Sequence, residues 1–443
     1  MIGRTFNDPC VQSDIHHWPF KVVPGKNNLP MVEVQVNNKP SLYSAVEISS
    51  FVFHHLKLIA DSYLSLDSND TDYAVITVPA YFNAVQREAI LEAGRLANLN
   101  ILRIIDEPTA AAIAFGFKEL YNISKKILVF DFGGGTLDLS LLDVDKRNFV
   151  VLATGGDTHF GGQDFDNKLV EYLAKKIQKK YNYNIYENKR ALLILRSQCE
   201  KAKIMLSNTS ISKALIFCAN LFNGIDFKYE LTQAKFEKIN EELFEKIKTP
   251  IIQILEIARI NKENIDNVIL IGGTSRIPLV RKIVSDFFNG KILMNIDPEK
   301  AVAQGAAIEA ASNEEEEDFP IIRYTSVISQ SIGVEINRTD MDIILKHGEQ
   351  IPVKSQPLYY TPIEQDQPKV YIKVYAGDNP KTKDNVFLGM FELKVTKPES
   401  GQNPKIEVRL EIDKNGILDV TAKDMAAGTS DKMRIKVEKI LNL

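Results

Sequence analysis

Two different spacings of apolar residues divide this chain. Between Ser41 and Ala311, short apolar runs alternate with longer segments of helical period, the pattern of an α/β architecture. Tyr73–Val78 and Ile101–Ile105 read as strands, the first closed by Pro79 and the second followed by Asp106-Glu107-Pro108 and an alanine-rich helix through Ala114. Asn83, with Gln86 three residues on, has the spacing of a capping box for the helix that follows Pro79. Residues 165–205 and 232–260 are long, charged and helical in period. Val268–Ile271 is a short buried strand that runs into Gly272-Gly273-Thr274-Ser275-Arg276, after which a helix resumes. At Asn313 the composition changes: Glu314–Asp318 is an unbroken acidic run followed by Pro320, and it reads as a solvated linker. Beyond it the alternation becomes strict. Ile406, Val408, Leu410 and Ile412 are interleaved with Glu407, Arg409, Glu411 and Asp413, and Asn415-Gly416 then marks a turn into Ile417–Ala422. Met433, Ile435 and Val437, interleaved with Lys432, Arg434 and Lys436, predict a last strand. The expectation is an α/β domain over residues 1–313, a linker over 314–328 and an antiparallel β domain over 329–438.

Composition narrows the function classes without choosing among them. At 443 residues, with 44% hydrophobic and 25% charged positions, the chain has the make-up of ordinary globular protein and room for two or three domains. A net charge of −4 offers no electrostatic case for nucleic acid or an anionic membrane as partner. No apolar run reaches the length of a bilayer span, and the opening MIGRTFNDPC lacks the apolar core of a secretory signal. Cys10, Cys199 and Cys218 are expected as free thiols in a reducing compartment. The adjacent pairs His16-His17 and His54-His55 have no Cys or His partners at metal-site spacing, so they read as solvated or packed side chains. Together these readings predict a cytoplasmic location.

The chemistry concentrates in residues 125–144, KKILVFDFGGGTLDLSLLDV, a strand, a turn of three glycines and a second strand. Glycine backbone approaches a ligand closely, and successive N–H groups in such a turn form an anion-binding concavity. Asp131 and Asp138, one at each end of Gly133-Gly134-Gly135-Thr136, cannot hold phosphate themselves; their expected task is to hold a divalent cation, through water, against it. A plain hairpin needs no more than a two-residue turn. A second cluster, Gly155 to Gly162, and a third, Gly272-Gly273, suggest one nucleotide held in a cleft between two lobes. No G-x-G-x-x-G opens a helix after a strand and no glycine loop ends in Gly-Lys-Ser/Thr, so the Rossmann and P-loop solutions fit poorly.

These segments, with Gly3–Val23, Thr77–Asn83, Ile104–Ala112, Asp131–Asp138, Gly156–Asn167, Gly272–Pro278 and Asn415–Val420, resemble the 70-kDa heat-shock chaperone family, the DnaK-type members of the actin and sugar-kinase fold. The resemblance covers nearly the whole chain. It implies an actin-like ATPase domain that uses ATP/ADP and magnesium, followed by a β-sandwich that binds unfolded or extended hydrophobic peptides. It also implies a J-domain co-chaperone and a nucleotide-exchange factor as partners. Residue by residue, Asp131 and Asp138 match the carboxylates near magnesium and the attacking water, Gly133, Gly134, Gly135 and Thr136 the second phosphate loop, and Glu107 the glutamate beside the phosphates. A plainer role for Glu107 is to cap the helix at Thr109. Gly162, Glu200, Lys203, Ser207, Gly272, Gly273, Arg276 and Glu299 match positions around the nucleotide, although Glu200 and Lys203 alone would read as an exposed i,i+3 pair. Val334, Leu410, Ile412 and Val420 fall where the family lines its peptide groove, and equally where a sandwich keeps its core.

The same comparison predicts departures. The family's opening Asp-x-Gly-Thr-Thr hairpin and its catalytic lysine would lie before Met1, and its helical lid after Leu443, so an ATPase domain incomplete at its N-terminus and a lidless β domain are expected. Ile204 stands where the family has an arginine that stacks on adenine, at a cost of about 1 kcal/mol. The family's leucine-rich linker corresponds to Asp318–Ser326, DFPIIRYTS, whose proline and arginine predict poor docking. The leading expectation is an ATP-dependent folding chaperone. The alternative is a peptide-binding or weak nucleotide-binding module without productive turnover, or an incomplete gene model; a sugar kinase is disfavoured by the C-terminal β domain.

Overall fold

A computed structural model describes residues 1–15, 18, 20–64, 73–118, 124–293, 297–312, 321–364, 367–396, 404–426, 428 and 430–434 of the protein. Its organising element is the apolar run at Ile127, which becomes the Ser124–Phe132 strand, an interior strand of a seven-stranded mixed sheet. In spatial order the strands are Ile292–Leu293, Asn267–Ile271, Ser124–Phe132, Leu137–Asp145, Asn148–Asp157, Arg323–Val327 and Gln350–Ile351. Both faces are buried, which is why the run is apolar throughout instead of alternating with polar residues. Leu128, Phe130, Phe132, Leu137, Leu139 and Leu141 enter one core. Ile127, Val129, Leu142 and Val144 enter the other. Each of these large side chains contributes about 1.5–3 kcal/mol through burial.

Helices cover both faces. Gly162–Tyr181, Lys189–Leu206, Lys248–Ala258 and Pro278–Phe287 pack on the first. Glu107–Lys118 and Ala301–Ser312 pack on the second, and they touch so closely that a Cβ on Gly305 would sit 1.7 Å from the Ala110 carbonyl oxygen. The expected helices at 165–205 and 232–260 are each interrupted: Asn182 takes a left-handed conformation after Tyr181, and the second segment divides into Gln233–Ile239, Glu241–Lys246 and Lys248–Ala258. A parallel pair, Tyr73–Val78 and Asn100–Asp106, flanks the second face. The helix Ala84–Leu96 between them starts with the capping box that its sequence suggests: Gln86 N–H donates to Asn83 Oδ1 (3.0 Å), and Asn83 N–H donates to Gln86 Oε1 (3.1 Å).

Beyond Val327 the regular elements of the described chain are strands, apart from the short turn Thr382–Asp384. Asp340–Leu345, Ile332–Ile336, Lys369–Ala376 and Val386–Lys394 form one antiparallel sheet. Val353–Lys354, Ile406–Ile412, Leu418–Asp424 and Ser430–Arg434 form a second, with Leu358–Tyr360 also paired to the 406–412 strand. Ile435 and Val437, expected in the last strand, and the acidic run Glu314–Asp318 lie outside the described residues. Both sheets share one core, and Val334, Leu410, Ile412 and Val420 are all in it, none more than 4% exposed. As they stand, these four pack against their neighbours and do not line an open surface.

One expectation is corrected here. Residues Arg323–Val327, the second half of the expected linker, form a strand parallel to Asn148–Asp157 and antiparallel to Gln350–Ile351. Docking does not need an apolar sequence, because backbone hydrogen bonds and inward polar groups supply it. Tyr324 Oη donates to the Ile104 carbonyl (3.0 Å) while Arg103 lies 3.8 Å over the Tyr324 ring. Ser326 Oγ donates to Asp106 Oδ2 and Arg87 Nη2 to Asp106 Oδ1, both at 2.6 Å and both buried. The Asn415-Gly416 turn completes this joint, with Asn415 Oδ1 accepting from Ile104 N–H (3.1 Å) and Gly416 against the Arg87 stem.

Candidate functional site

The hairpin register sets the chemistry. Asp131 pairs directly with Asp138, and both are on the face opposite Phe132 and Leu137, so the two carboxylates leave the sheet side by side. Asp131 is 9% exposed and Asp138 1%. Thr136 Oγ1 donates to Asp138 Oδ2 (3.0 Å), while Oδ1 is buried and, among the described residues, has no partner. Glu107, at the start of its helix, faces the same pair. Burial and the neighbouring Asp131 and Asp106 carboxylates push Glu107 up to about 7. Burial pushes Asp131 up to about 6. Asp138 is raised well above the usual carboxylate range by burial, then by Asp131 and Glu107. Three acids in this state form a cluster short of positive charge.

The glycine clusters converge beside these acids. Gly133 N–H closes the turn onto the Thr136 carbonyl (3.0 Å), whereas among the described residues the exposed Gly134 and Gly135 donate no N–H hydrogen bond. The second cluster packs under the turn: Gly162 N–H donates to the Gly133 carbonyl (3.0 Å) and Gln163 N–H to that of Gly134 (2.8 Å). A Cβ on Gly161 would lie 2.5 Å from the Gly134 carbonyl oxygen, so only glycine permits this approach. In the third cluster, Gly272 has φ +79°, and a Cβ there would lie 2.4 Å from the Phe132 carbonyl oxygen. Thr274 Oγ1 donates to the Gly133 carbonyl (2.8 Å), tying the third cluster to the first.

Further residues named from the sequence border this locus. Lys203 Nζ donates to the Gly162 carbonyl (2.8 Å) and to Asp166 Oδ2 (2.6 Å), so its ion-pair partner is a buried aspartate, not Glu200. Ser207 Oγ donates to the Lys203 carbonyl (3.0 Å), and Glu200 and Ile204 are exposed. Arg276 bridges Asp297 (3.2 Å) and Glu299 (3.1 Å), beside the Gly272 N–H that donates to the Pro298 carbonyl. Sequence reasoning missed Asp166, Thr274 and Asp297 as members of the site. Thr274 lies inside a motif already singled out, but nothing local marks Asp166 as the partner of a lysine 37 positions away.

The donor set suits a magnesium-bound polyphosphate. Gly134 and Gly135 are exposed and, among the described residues, their N–H groups are uncommitted, while Asp138 at the other end of the turn keeps a buried, unpartnered carboxylate oxygen. Among the described residues no three His, Cys, Asp or Glu side chains are grouped closely enough to cage a metal ion directly.

The Hsp70 protein family model matches residues 1–442. The chain belongs to the Hsp70 family. It is 42% identical over 445 residues to heat shock cognate 70 kDa protein 3 of Dictyostelium discoideum, an alignment covering 99% of this chain and 70% of that protein. Its identity to a heat shock 70 kDa protein of Emericella nidulans is 41% over 442 residues, covering 99% and 68% of the two. A heat shock 70 kDa protein of Neurospora crassa is 40% identical over 451 residues, with 99% and 69% covered. Membership implies an actin-like ATPase domain, nucleotide binding and a chaperone role for this Hsp70 chain. No helix among its described residues is long and apolar enough to cross a membrane.

Proposed function

We propose that this Hsp70 chain is a DnaK-type chaperone that binds magnesium ATP at the converging glycine clusters and holds extended hydrophobic peptides in its β-rich part. The carrying observation is the Asp131–Asp138 pair, buried on one face of the hairpin end with Asp138 Oδ1 unpartnered beside the free Gly134 and Gly135 N–H groups. Magnesium ATP, when bound, supplies the phosphoanhydride to be cleaved and the positive charge that the acids lack. The glycine N–H groups bind and orient phosphate oxygens. Asp131 and Asp138 would hold the magnesium ion through water, and Glu107, pushed up to about 7, accepts or holds a proton near neutral pH. Lys203 holds the Gly161-Gly162 turn in place through the Gly162 carbonyl.

A J-domain partner and an exchange factor, a cytoplasmic location, and peptide contacts through Val334, Leu410, Ile412 and Val420 belong to the same reading. The four buried side chains then require the sheets to part around a peptide. Single-turnover hydrolysis on the purified chain tests the reading. Cleavage of bound ATP, reduced at least about 100-fold by Asp131→Asn, is expected. Binding without cleavage would leave a peptide- or nucleotide-binding module instead.

A further inference from the structure

A basic ridge lies away from the nucleotide site. Lys175, Lys176, Lys179 and Lys180 are all exposed in the last turns of the Gly162–Tyr181 helix, and Lys235 reaches the same surface from Gln233–Ile239. Tyr172 and Tyr229 meet beneath them, hydroxyl to hydroxyl at 3.3 Å. Lys176 lies 5.1 Å over the Tyr172 ring and 5.7 Å from that of Tyr229, and Lys235 lies 4.8 Å over Tyr172. Among the described residues, no carboxylate is within ion-pair distance of any of these five lysines. The nearby acids are engaged elsewhere: Glu242 with Lys168, Glu230 with Lys213 and Glu237 with Gln233; Glu171 is exposed next to Tyr172. Burial pushes the Tyr172 hydroxyl up, but the Tyr229 hydrogen bond and the two lysines outweigh it and bring it below its ordinary range.

We propose that this ridge is a docking site for an acidic peptide segment of a partner protein, with Lys176, Lys180 and Lys235 holding its carboxylates and the two tyrosine hydroxyls completing the contact. Spacing supports a peptide. Lys176 and Lys180 are one helical turn apart, about 6 Å along the axis. Alternate side chains of an extended strand are about 6.6–6.8 Å apart. Single-stranded nucleic acid fits less well, because it needs free aromatic faces for base stacking and lysine already covers these rings. A membrane surface fits less well again, since Leu169, Val170, Leu173, Ala174 and Ile177, the helix's apolar side, are buried in the core.

The chain's own acidic run provides a probe of the right chemistry. A fluorescent peptide of residues 312–319, SNEEEEDF, titrated into the full 443-residue chain, is expected to bind saturably and to weaken as salt rises from about 50 to about 300 mM. Lys176→Glu with Lys235→Glu should weaken it about tenfold, and the milder Lys176→Gln with Lys235→Gln should fall between; Lys383→Glu, in the β-rich part, should change nothing. Absence of saturable binding, or equal loss in the Lys383→Glu chain, would overturn the proposal. Tighter binding of an RNA octamer at the same lysines would assign the ridge to nucleic acid instead.

Discussion

Carboxylates buried without cations resist ionisation, and Asp131, Asp138 and Glu107 all show it. Their raised values fix the sign of a pH effect. At low pH the three acids are protonated in both folded and unfolded chain, so they contribute nothing there. As pH rises from about 4 the unfolded chain releases these protons first, and the folded chain follows only as pH passes about 6 for Asp131 and about 7 for Glu107. The ligand-free protein should therefore lose stability across that window. Asp138→Asn should recover part of it at pH 7.5 and little at pH 4.5. Thermal melts of parent and variant at the two pH values check this; equal differences at both would remove the basis for calling the cluster charge-starved.

Much of the local structure was legible in the sequence. The 125–144 hairpin, the Asn83 capping box and the Asn415-Gly416 turn depend on neighbours within a few residues, and each formed as its composition suggested. What was illegible depends on distant partners. Arg323–Val327 carries no apolar run, and it is a strand because the Asn148–Asp157 edge and buried Asp106 receive it. The pairing of Lys203 with Asp166 likewise exists only once two helices pack together. The glycine clusters fall between these cases: each reads as a turn, while their convergence is tertiary. Gly161→Ala tests that convergence. Its methyl has no room beside the Gly134 carbonyl, so stability should fall by about 1–3 kcal/mol and the glycine turn should move. Urea unfolding together with nucleotide titration reports both, and a fully stable variant that binds normally would contradict the packing described.

For the molecule as a whole, the joint at Asp106 links the two halves. Arg87 and Ser326 hold one carboxylate that adjoins Glu107 in the chain, so the docked strand 323–327 and the acid cluster share a backbone segment. Removing Arg87 leaves Asp106 buried without its cation, a loss of about 3–5 kcal/mol for the docked arrangement. Arg87→Ala should raise amide exchange in residues 323–327 and enlarge the radius of gyration seen by small-angle scattering. Asp106→Asn in the same chain should reverse part of the effect. Unchanged exchange in Arg87→Ala would mean that the strand is held without this ion pair.

The central claim is that Asp131, Asp138 and the glycine turn constitute a magnesium–nucleotide site, and calorimetric titration of the purified chain with ADP and ATP tests it most directly. Binding should require magnesium, release protons more strongly at pH 6 than at pH 8 as the raised carboxylates ionise, and weaken at least about tenfold in Asp138→Asn. Nucleotide binding that is indifferent to magnesium and unchanged by Asp138→Asn, or no binding at all, would contradict it.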